Sequence, residues 1–432
     1  MIKVIEDHEK EYGHLKGKKL LILGGVKMAC DIVTRAKNMG VYTIVADYLV
    51  DSPAKKLADK AVELNAVDVD QIVDFCNQEH VDGITTGFVD ILLQPCHDAC
   101  ARLGLPYYAP DLLIEMSTNK DAYKRECRKY GIPVPEDYSI GDHEDYTQIA
   151  SGIRYPVFIK PVDSSGSRGA CVCHSEEEFL ENYPKALSFS PSRHVVIEEY
   201  LTGQDIILDY LLKDGEAHLL SIFDRKMCKD RAIAVNHANL LLSPSESVDQ
   251  FIEEVDPKIR RMCRELGFRD GLIFFQGYSN NGRITLFEMG CRLGGTFSNI
   301  DEAFLGVNPV DALIHYALTG KMADDGDYSL ITPKFDGCGA VLNILMQDEP
   351  KEIHKIYGTE YVRKLPQVVN YIQFFNEGDV IPNNNATDRP LLIAYLACKS
   401  REELKEVLEN IYEQVDAQDS HGVSMLKNVY RI

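Results

Sequence analysis

The chain lacks an excess of positive charge: 46 Lys and Arg stand against 67 Asp and Glu, a formal net charge of −21 over 432 residues. That balance argues against nucleic acid or an anionic membrane as a partner, because the global field repels both. An anionic ligand would need a locally positive pocket. The chain also lacks any apolar run approaching the ~18–20 residues that span a bilayer. Its charged opening, Met1-Ile-Lys-Val-Ile-Glu-Asp-His-Glu-Lys10, has no apolar h-region, so no secretory signal is expected. The twelve cysteines include no C-x-x-C pair and sit mostly in apolar stretches, the pattern of reduced core thiols in a cytoplasmic protein. Cys96-His-Asp-Ala-Cys100 could suggest a metal, but its spacing also suits one helix face. Also missing are a Walker A loop and a complete G-x-G-x-x-G fingerprint.

What is present is ordinary for a globular chain of about two to four domains, with 45% hydrophobic and 26% charged residues. Residues 18–110 alternate strand and helix patterns. Strands are expected at Lys19–Leu23, Tyr42–Ala46, Lys60–Leu64 and Gly83–Thr86, with helices to Asn38, over Val67–Glu79 and over Ile91–Leu103. Such a succession predicts a parallel, doubly wound sheet. Gly24-Gly25 after the first strand and Asp47 after the second invite a dinucleotide reading, which the incomplete glycine pattern weakens. A small ligand at the strand ends, or a purely structural domain, fits as well.

Asp111–Tyr130 has a helical pattern with Ser117-Thr118-Asn119 as cap-like residues, and Gly131-Ile-Pro-Val-Pro135 breaks it. Residues of about 133–200 predict a compact α+β unit with an acidic helix at Glu176–Tyr183 and a strand at His194–Ile197. Further strands are expected at Asp205–Leu212 and Ala217–Phe223, then a helix over Val248–Leu266. Leu272–Tyr278 and Arg283–Glu288 read as a hairpin turned by Ser279-Asn-Asn-Gly282. Strands near Gly339–Leu345 and Leu391–Cys398, with the helix Arg401–Val415, suggest a separate closing domain.

One segment carries more chemistry than its surroundings. Lys160 closes the apolar strand Tyr155-Pro-Val-Phe-Ile-Lys160 and opens the loop Asp163-Ser-Ser-Gly-Ser-Arg-Gly169, after which Ala170-Cys-Val-Cys173 resumes. A cation beside a loop of unencumbered N–H groups suits a polyphosphate. An ordinary Gly/Ser hairpin with a surface lysine is the bland alternative.

Lys120, Lys160 with its flap, the crossing Glu198-Glu-Tyr-Leu201 and the hairpin end Glu288-Met-Gly-Cys-Arg292-Leu-Gly-Gly295 follow one another in an order and spacing that resembles the ATP-grasp family. The resemblance covers roughly residues 20–430, and its motifs are specific in combination. It implies an α/β and α+β fold: a Rossmann-like parallel-sheet domain at 1–115, an ATP-grasp domain at 116–330 with a mobile lid at about 133–200, and a C-terminal α+β domain at 331–432.

The resemblance further implies ATP and magnesium, or manganese, as cofactors. Lys120 and Lys160 would neutralise phosphate charge. Ser165, Gly166, Ser167 and Gly169 would donate to the β- and γ-phosphates, and the backbone of Glu199, Tyr200 and Leu201 would meet adenine. Glu198 matches the acid that opens the crossing, and Asp205 the acid on the ribose. Glu288 matches the metal-bridging carboxylate, and Arg292 the arginine that steadies the phosphorylated intermediate. Gly294 and Gly295 would let backbone approach the acceptor, with Arg225, Lys226 and His237 as further substrate candidates. For Arg292 the alternative is a simple salt bridge to Glu288; Glu198 and Asp205 would otherwise be solvated strand-end charges. Cys291 reads as a packing residue.

Two positions depart from the family pattern. Gln276 stands where a second metal-binding acid is expected, and Gly290 where an asparagine is expected. Two-metal chemistry is therefore not assumed, and Asp209 is a nearby acid that would substitute. The implied activity is ligation of a carboxylate to an amine, or to a thiol, through an acyl phosphate, with small-molecule acid and amine substrates. An amino acid or similar metabolite is favoured, with a phosphoribosylamine–glycine type of reaction as the alternative. Biotin carboxylation is less attractive because no biotin-carrier segment is seen, and carbamoyl phosphate synthesis because the C-terminal region is short for a second synthetase half. Readings of other classes are an ATP-binding module without turnover and a dinucleotide-dependent oxidoreductase. The acidic surface and three-domain build are compatible with a homodimer.

Overall fold

The computed structural model describes residues 12–138, 145–162, 169–228, 237–295, 297–323, 328, 331–347, 349, 351–381 and 390–427. At the N-terminal end, β1 (Lys19–Leu23), α1 (Ala29–Asn38), β2 (Tyr42–Asp47), β3 (Lys60–Glu63), α2 (Val69–Glu79), β4 (Gly83–Thr85) and α3 (Leu93–Leu103) follow one another. The strands pair in parallel in the order β3-β2-β1-β4. Leu20 to Leu23 are all buried, as expected for a central parallel strand covered on both faces. Cys96 and Cys100 of α3 are buried together in this core, while His97 turns to Asp98, so the thiols serve packing.

Next come α4 (Asp111–Thr118) and α5 (Lys120–Lys129), separated by Asn119. The Asn119 side chain accepts from the N–H groups of Asp121 and Ala122, which starts α5 with Lys120 as its first residue. A short helix α6 (Tyr146–Ala150), strands β5 (Val157–Pro161) and β6 (Cys171–Cys173), helix α7 (Glu176–Ser188) and strand β7 (Val195–Glu199) form a small unit. Its antiparallel sheet has the order β6-β5-β7, and α7 presses Phe179 and Tyr183 against Val157, Ile159 and Ile197.

The rest is dominated by one sheet. Its first members are β8 (Gln204–Lys213), β9 (Glu216–Cys228) and β10 (His237–Ser243), followed by helices α8 (Val248–Glu254) and α9 (Asp256–Glu265). The helix expected over Val248–Leu266 is thus two helices: Pro257, with no N–H to give and a ring that clashes with the preceding turn, begins a new one. Strands β11 (Gly271–Asn280) and β12 (Arg283–Gly290) form the expected hairpin, with Asn281 and Gly282 both at positive φ (48° and 76°) in the turn. After α10 (Ser298–Leu305) and α11 (Pro309–Thr319) come β13 (Cys338–Leu345), β14 (Lys355–Tyr357), α12 (Thr359–Lys364), β15 (Val368–Gln373), β16 (Pro390–Cys398), α13 (Arg401–Gln414) and β17 (Asp416–Gln418). Eight strands pair antiparallel in the order β12-β11-β8-β9-β10-β13-β16-β15, so β13, β15 and β16 extend the same sheet through the β10–β13 ladder. They also pack their own core with α13, through Leu404, Leu408 and Ile411.

The register decides which side chains share a face, since directly opposed residues point the same way. One row holds Asp205, Arg225 and Tyr278; the next holds Ile207, Phe223, Gln276 and Glu288; a third holds Asp209, Ser221, Phe274 and Gly290.

Because Asn119 caps the helix that carries Lys120, Asn119→Ala is expected to cost about 1 kcal/mol of stability and to weaken nucleotide binding with it. Denaturant midpoints and nucleotide titrations check this; an unchanged midpoint would show that the cap stabilises nothing.

Candidate active site

Glu198 ends β7 almost fully buried, and such a carboxylate persists only if cations meet it. Two do. Lys160 Nζ reaches Glu198 Oε2 at 2.6 Å, and Lys124 Nζ reaches Oε1 at 2.8 Å. Lys124 also pairs with Asp137. Burial opposes ionisation of Glu198, but Lys160 and Lys124 outweigh it and hold the carboxyl below its ordinary range. The sequence reading passed over Lys124; its position four residues after Lys120, on the same face of one helix, was the available signal.

Lys120 adds a third cation. It is half-buried and makes no hydrogen bond or ion pair with a described residue. Burial and the neighbouring Lys160 push its pKa down, against the pull of Glu288 and Glu198. A desolvated ammonium beside a second one is a site short of negative charge, within a protein that has too much of it elsewhere.

Glu288 mirrors this. It stands half-buried on β12, opposite Gln276, with no hydrogen bond or ion pair to a described residue. The Gln276 Oε1 accepts from Arg225 Nη2 at 3.1 Å, while Arg225 Nε pairs with Asp205 Oδ1 at 2.6 Å. Burial lifts the Asp205 pKa and Arg225 counters it. Asp205, expected at the ribose, is therefore bound to Arg225, and Lys226 is bound to Gln204.

Arg292 does not pair with Glu288. Its fork grips Asp90 of the N-terminal unit, Nε to Oδ1 at 2.6 Å and Nη2 to Oδ2 at 2.8 Å, and its guanidinium lies 5.0 Å from the Phe274 ring centroid. Asp90 is 202 residues away in sequence and carries no motif, so nothing in the chain's order announces it. Cys291 beside it is buried with its thiol pushed up to about 12 by burial, and Tyr108 and Ser117 hold its backbone. It is a packing residue rather than a nucleophile.

Phe274 also accounts for one departure from the family pattern. A Cβ at Gly290 would stand 2.2 Å from its Cε1, so no side chain fits there. A Cβ at Gly294 would meet the same residue at 2.6 Å, and one at Gly295 would meet Phe297 at 2.7 Å. In the crossing, the N–H groups of Glu199 and Tyr200 donate to Glu136 O and Pro156 O, and Arg283 holds the Glu199 carboxylate. The Leu201 N–H has no partner among the described residues. Gly169 sits at φ +75° against Phe189, whereas Ser165, Gly166 and Ser167 lie outside the described residues, as does the His237 side chain.

These residues fit a nucleoside triphosphate with a divalent cation. Lys120 and Lys160 would face phosphate, the Leu201 amide would face a base, and Glu288, without a partner among the described residues, would hold the metal. Among the described residues no group of three His, Cys, Asp or Glu forms a preformed metal cage, so phosphate oxygens would complete the coordination.

Residues 119–323 match the family described as carbamoyl-phosphate synthase L chain, ATP binding domain. The chain is 24% identical over 362 residues to the 2-oxoglutarate carboxylase small subunit of Hydrogenobacter thermophilus, covering 79% of this chain and 74% of that protein. The solved biotin carboxylase domain of the 2-oxoglutarate carboxylase from that organism, a dimer in complex with MgADP, ADP and bicarbonate, superposes with a TM-score of 0.78 at 19% identity, over 95% of this chain and 91% of that one. An L-amino acid ligase from Bacillus licheniformis superposes with a TM-score of 0.74 at 20% identity, over 94% and 99%. The lysine pair, the crossing, the hairpin end and these likenesses agree: the chain belongs to the ATP-grasp superfamily, among its ATP-dependent ligases and carboxylases.

Proposed function

We propose that the protein is an ATP-dependent carboxylate–amine ligase working through an acyl phosphate. The observation that carries this reading is a pair of charges on one site, the Lys120 ammonium and the Glu288 carboxylate, neither hydrogen-bonded nor ion-paired to a described residue. Lys120 calls for phosphate and Glu288 for a cation, and the charge of Glu288 reaches Lys120. Magnesium held by Glu288 would supply charge neutralisation between the phosphates. Lys120 and Lys160 would take the α- and β-phosphate charge, with Glu198 holding Lys160 in place through its 2.6 Å contact. The substrate carboxylate oxygen would take the γ-phosphoryl group as ADP leaves. The amine would then attack the acyl carbon, expel phosphate and lose its proton. Arg292, a planar fork of donors, suits the carboxylate and the acyl phosphate; Asp90 holds it ready over Phe274. The domain division at 115 and 330, the lid and the homodimer belong to the same reading, the last supported by the dimer formed by the solved Hydrogenobacter domain.

ADP release with magnesium or manganese, against a panel of acids paired with amines or thiols and including bicarbonate, tests the activity. A protein that binds ATP but releases ADP with no acid would be a binding module instead. Release with bicarbonate alone would make it a carboxylase.

Lys160→Ala is expected to weaken ATP binding about 10- to 100-fold, the loss of one charge-assisted contact of ~1.5–3 kcal/mol, as read by calorimetric titration. Glu288→Gln should leave ATP affinity within a few-fold and lower turnover about 100-fold or more; full activity would remove its metal role.

Glu198→Gln, without nucleotide, is expected to cost about 3–5 kcal/mol near pH 7, because buried Lys160 loses its counter-charge and Lys124 keeps only Asp137. The Glu198 carboxyl is held below its ordinary value of 4.5, so the folded state binds fewer protons than the unfolded one. Its contribution is therefore complete above that value and fades as pH falls through the lowered pKa. The gap between wild type and variant, measured as denaturant midpoints, should stay constant down to about pH 5 and narrow below it; a gap independent of pH down to about pH 3 would contradict the triad.

A further inference from the structure

Of the eleven cysteines whose side chains are described, only Cys30 and Cys171 are not fully buried. Cys171 is set apart by its neighbour. β6 is the three-residue strand Cys171-Val172-Cys173, and residues two apart on a strand point to one face. Both thiols accordingly lie on the core beneath α7, Cys173 within it beside Phe179 and Cys171 at its edge. The Cys173 thiol hydrogen-bonds to the Cys171 sulfur and, with the Lys185 ammonium of α7, favours the thiolate. The Cys171 pKa is thereby held below its ordinary value, against burial and Glu178. Burial pushes the Cys30 thiol the other way. Cys96 and Cys100 also form a hydrogen-bonded pair, but they are sealed inside the core of the N-terminal unit.

An accessible thiolate within reach of a second thiol is the arrangement that converts an oxidant into a disulfide. We propose that Cys171 and Cys173 form an oxidation site for hydroperoxides, closing to an intrastrand disulfide that loosens β6 from β5 and weakens nucleotide binding. The Cys171 thiolate attacks a peroxide oxygen. The O–O bond breaks, the sulfur is oxidised by two electrons to the sulfenic acid, and alkoxide (hydroxide from hydrogen peroxide) departs. The Cys173 sulfur then attacks the Cys171 sulfur, the S–O bond breaks, and the hydroxyl leaves as water with the Cys173 proton. The peroxide is the only co-reactant.

Strand geometry links this bond to the site. At a rise of about 3.3 Å per residue, Cα atoms two residues apart are separated by about 6.6 Å. That is close to the upper limit of about 6.8 Å for a disulfide and beyond its usual ~5.5–6 Å. Closure therefore draws the strand in by up to about 1 Å. β6 can yield, because it is short, lies at the edge of its sheet and pairs with β5 alone. The ladder that gives way pairs Cys171 with Ile159, the residue before Lys160. The effect on nucleotide rests on the reading of Lys160 as a phosphate ligand; the disulfide itself does not.

The test treats the whole reduced protein with hydrogen peroxide, alkylates the remaining thiols and maps the products by peptide mass spectrometry, with ATP affinity read by calorimetric titration. The expected product is a Cys171–Cys173 disulfide within one chain, reversed by dithiothreitol. ATP affinity should fall severalfold on oxidation and return on reduction. In Cys173→Ser the reaction should stop at a Cys171 sulfenic acid, trapped by dimedone. Cys171→Ser should give neither product, bind ATP as the reduced wild type does, and keep that affinity in peroxide. If a buried serine destabilises the first variant, Cys173→Ala takes its place. Peroxide that oxidises Cys171 no faster than the buried cysteines, or joins it to a cysteine other than Cys173, would overturn the site. A disulfide that leaves ATP affinity unchanged, or a loss of affinity that persists in Cys171→Ser, would overturn the coupling. Reduced wild type that binds no ATP would instead remove the reading of Lys160, while the mass spectrum still decides the disulfide.

Discussion

The buried triad of Lys124, Glu198 and Lys160 ties the molecule's parts into one site. Its members come from three elements: α5, the end of β7 and the end of β5. Taking one carboxylate and two ammonium groups out of water is expensive, and the cost is met only when all three sit at contact distance. The triad therefore holds β5 and β7 of the small sheet against the helix that presents Lys120. With Asp137 also on Lys124, it is Lys120 beside Lys160 that gives the proposed phosphate site its positive charge in a protein of net charge −21.

The large antiparallel sheet supplies the second half. Strands β8, β9, β11 and β12 lay out three successive rows on one face, and the rows differ in character: an acid–arginine pair at Asp205 and Arg225, then Gln276 and Glu288, then Asp209 and Ser221 beneath Phe274. Phe274 has more consequences than its apolar nature suggests. It denies Gly290 and Gly294 a side chain and supports the Arg292 guanidinium. The replacement of an expected asparagine by glycine is thus a packing consequence of an aromatic ring on the neighbouring strand, while Gln276 gains a partner in Arg225 that a carboxylate at that position would share with a metal.

Much of the fold was legible because its periods are local. The parallel strands of the N-terminal unit, the hairpin turned at Asn281-Gly282 and the Lys160 strand all emerged where apolar runs and turn residues placed them. The break at Pro257 was equally local and was missed by weighing the helical pattern above a single imino acid. Lys124 could have been found by following the helical period onward from Lys120. Asp90 could not. Its role arises from a contact across a long stretch of chain, with Arg292.

By itself the sequence determined the ordered set of lysines, crossing segment and strand-end glutamate on which the proposed phosphate site rests, since those residue types are written along the chain. Tertiary structure alone decided which of those groups are already spent on one another and which remain available. Asp205 and Glu198 are engaged inside the protein; Lys120 and Glu288 form no hydrogen bond or ion pair with a described residue. The reason is physical: whether a charge must find a ligand depends on its desolvation and its neighbours, and both are fixed by strand register and helix packing, which no linear spacing expresses.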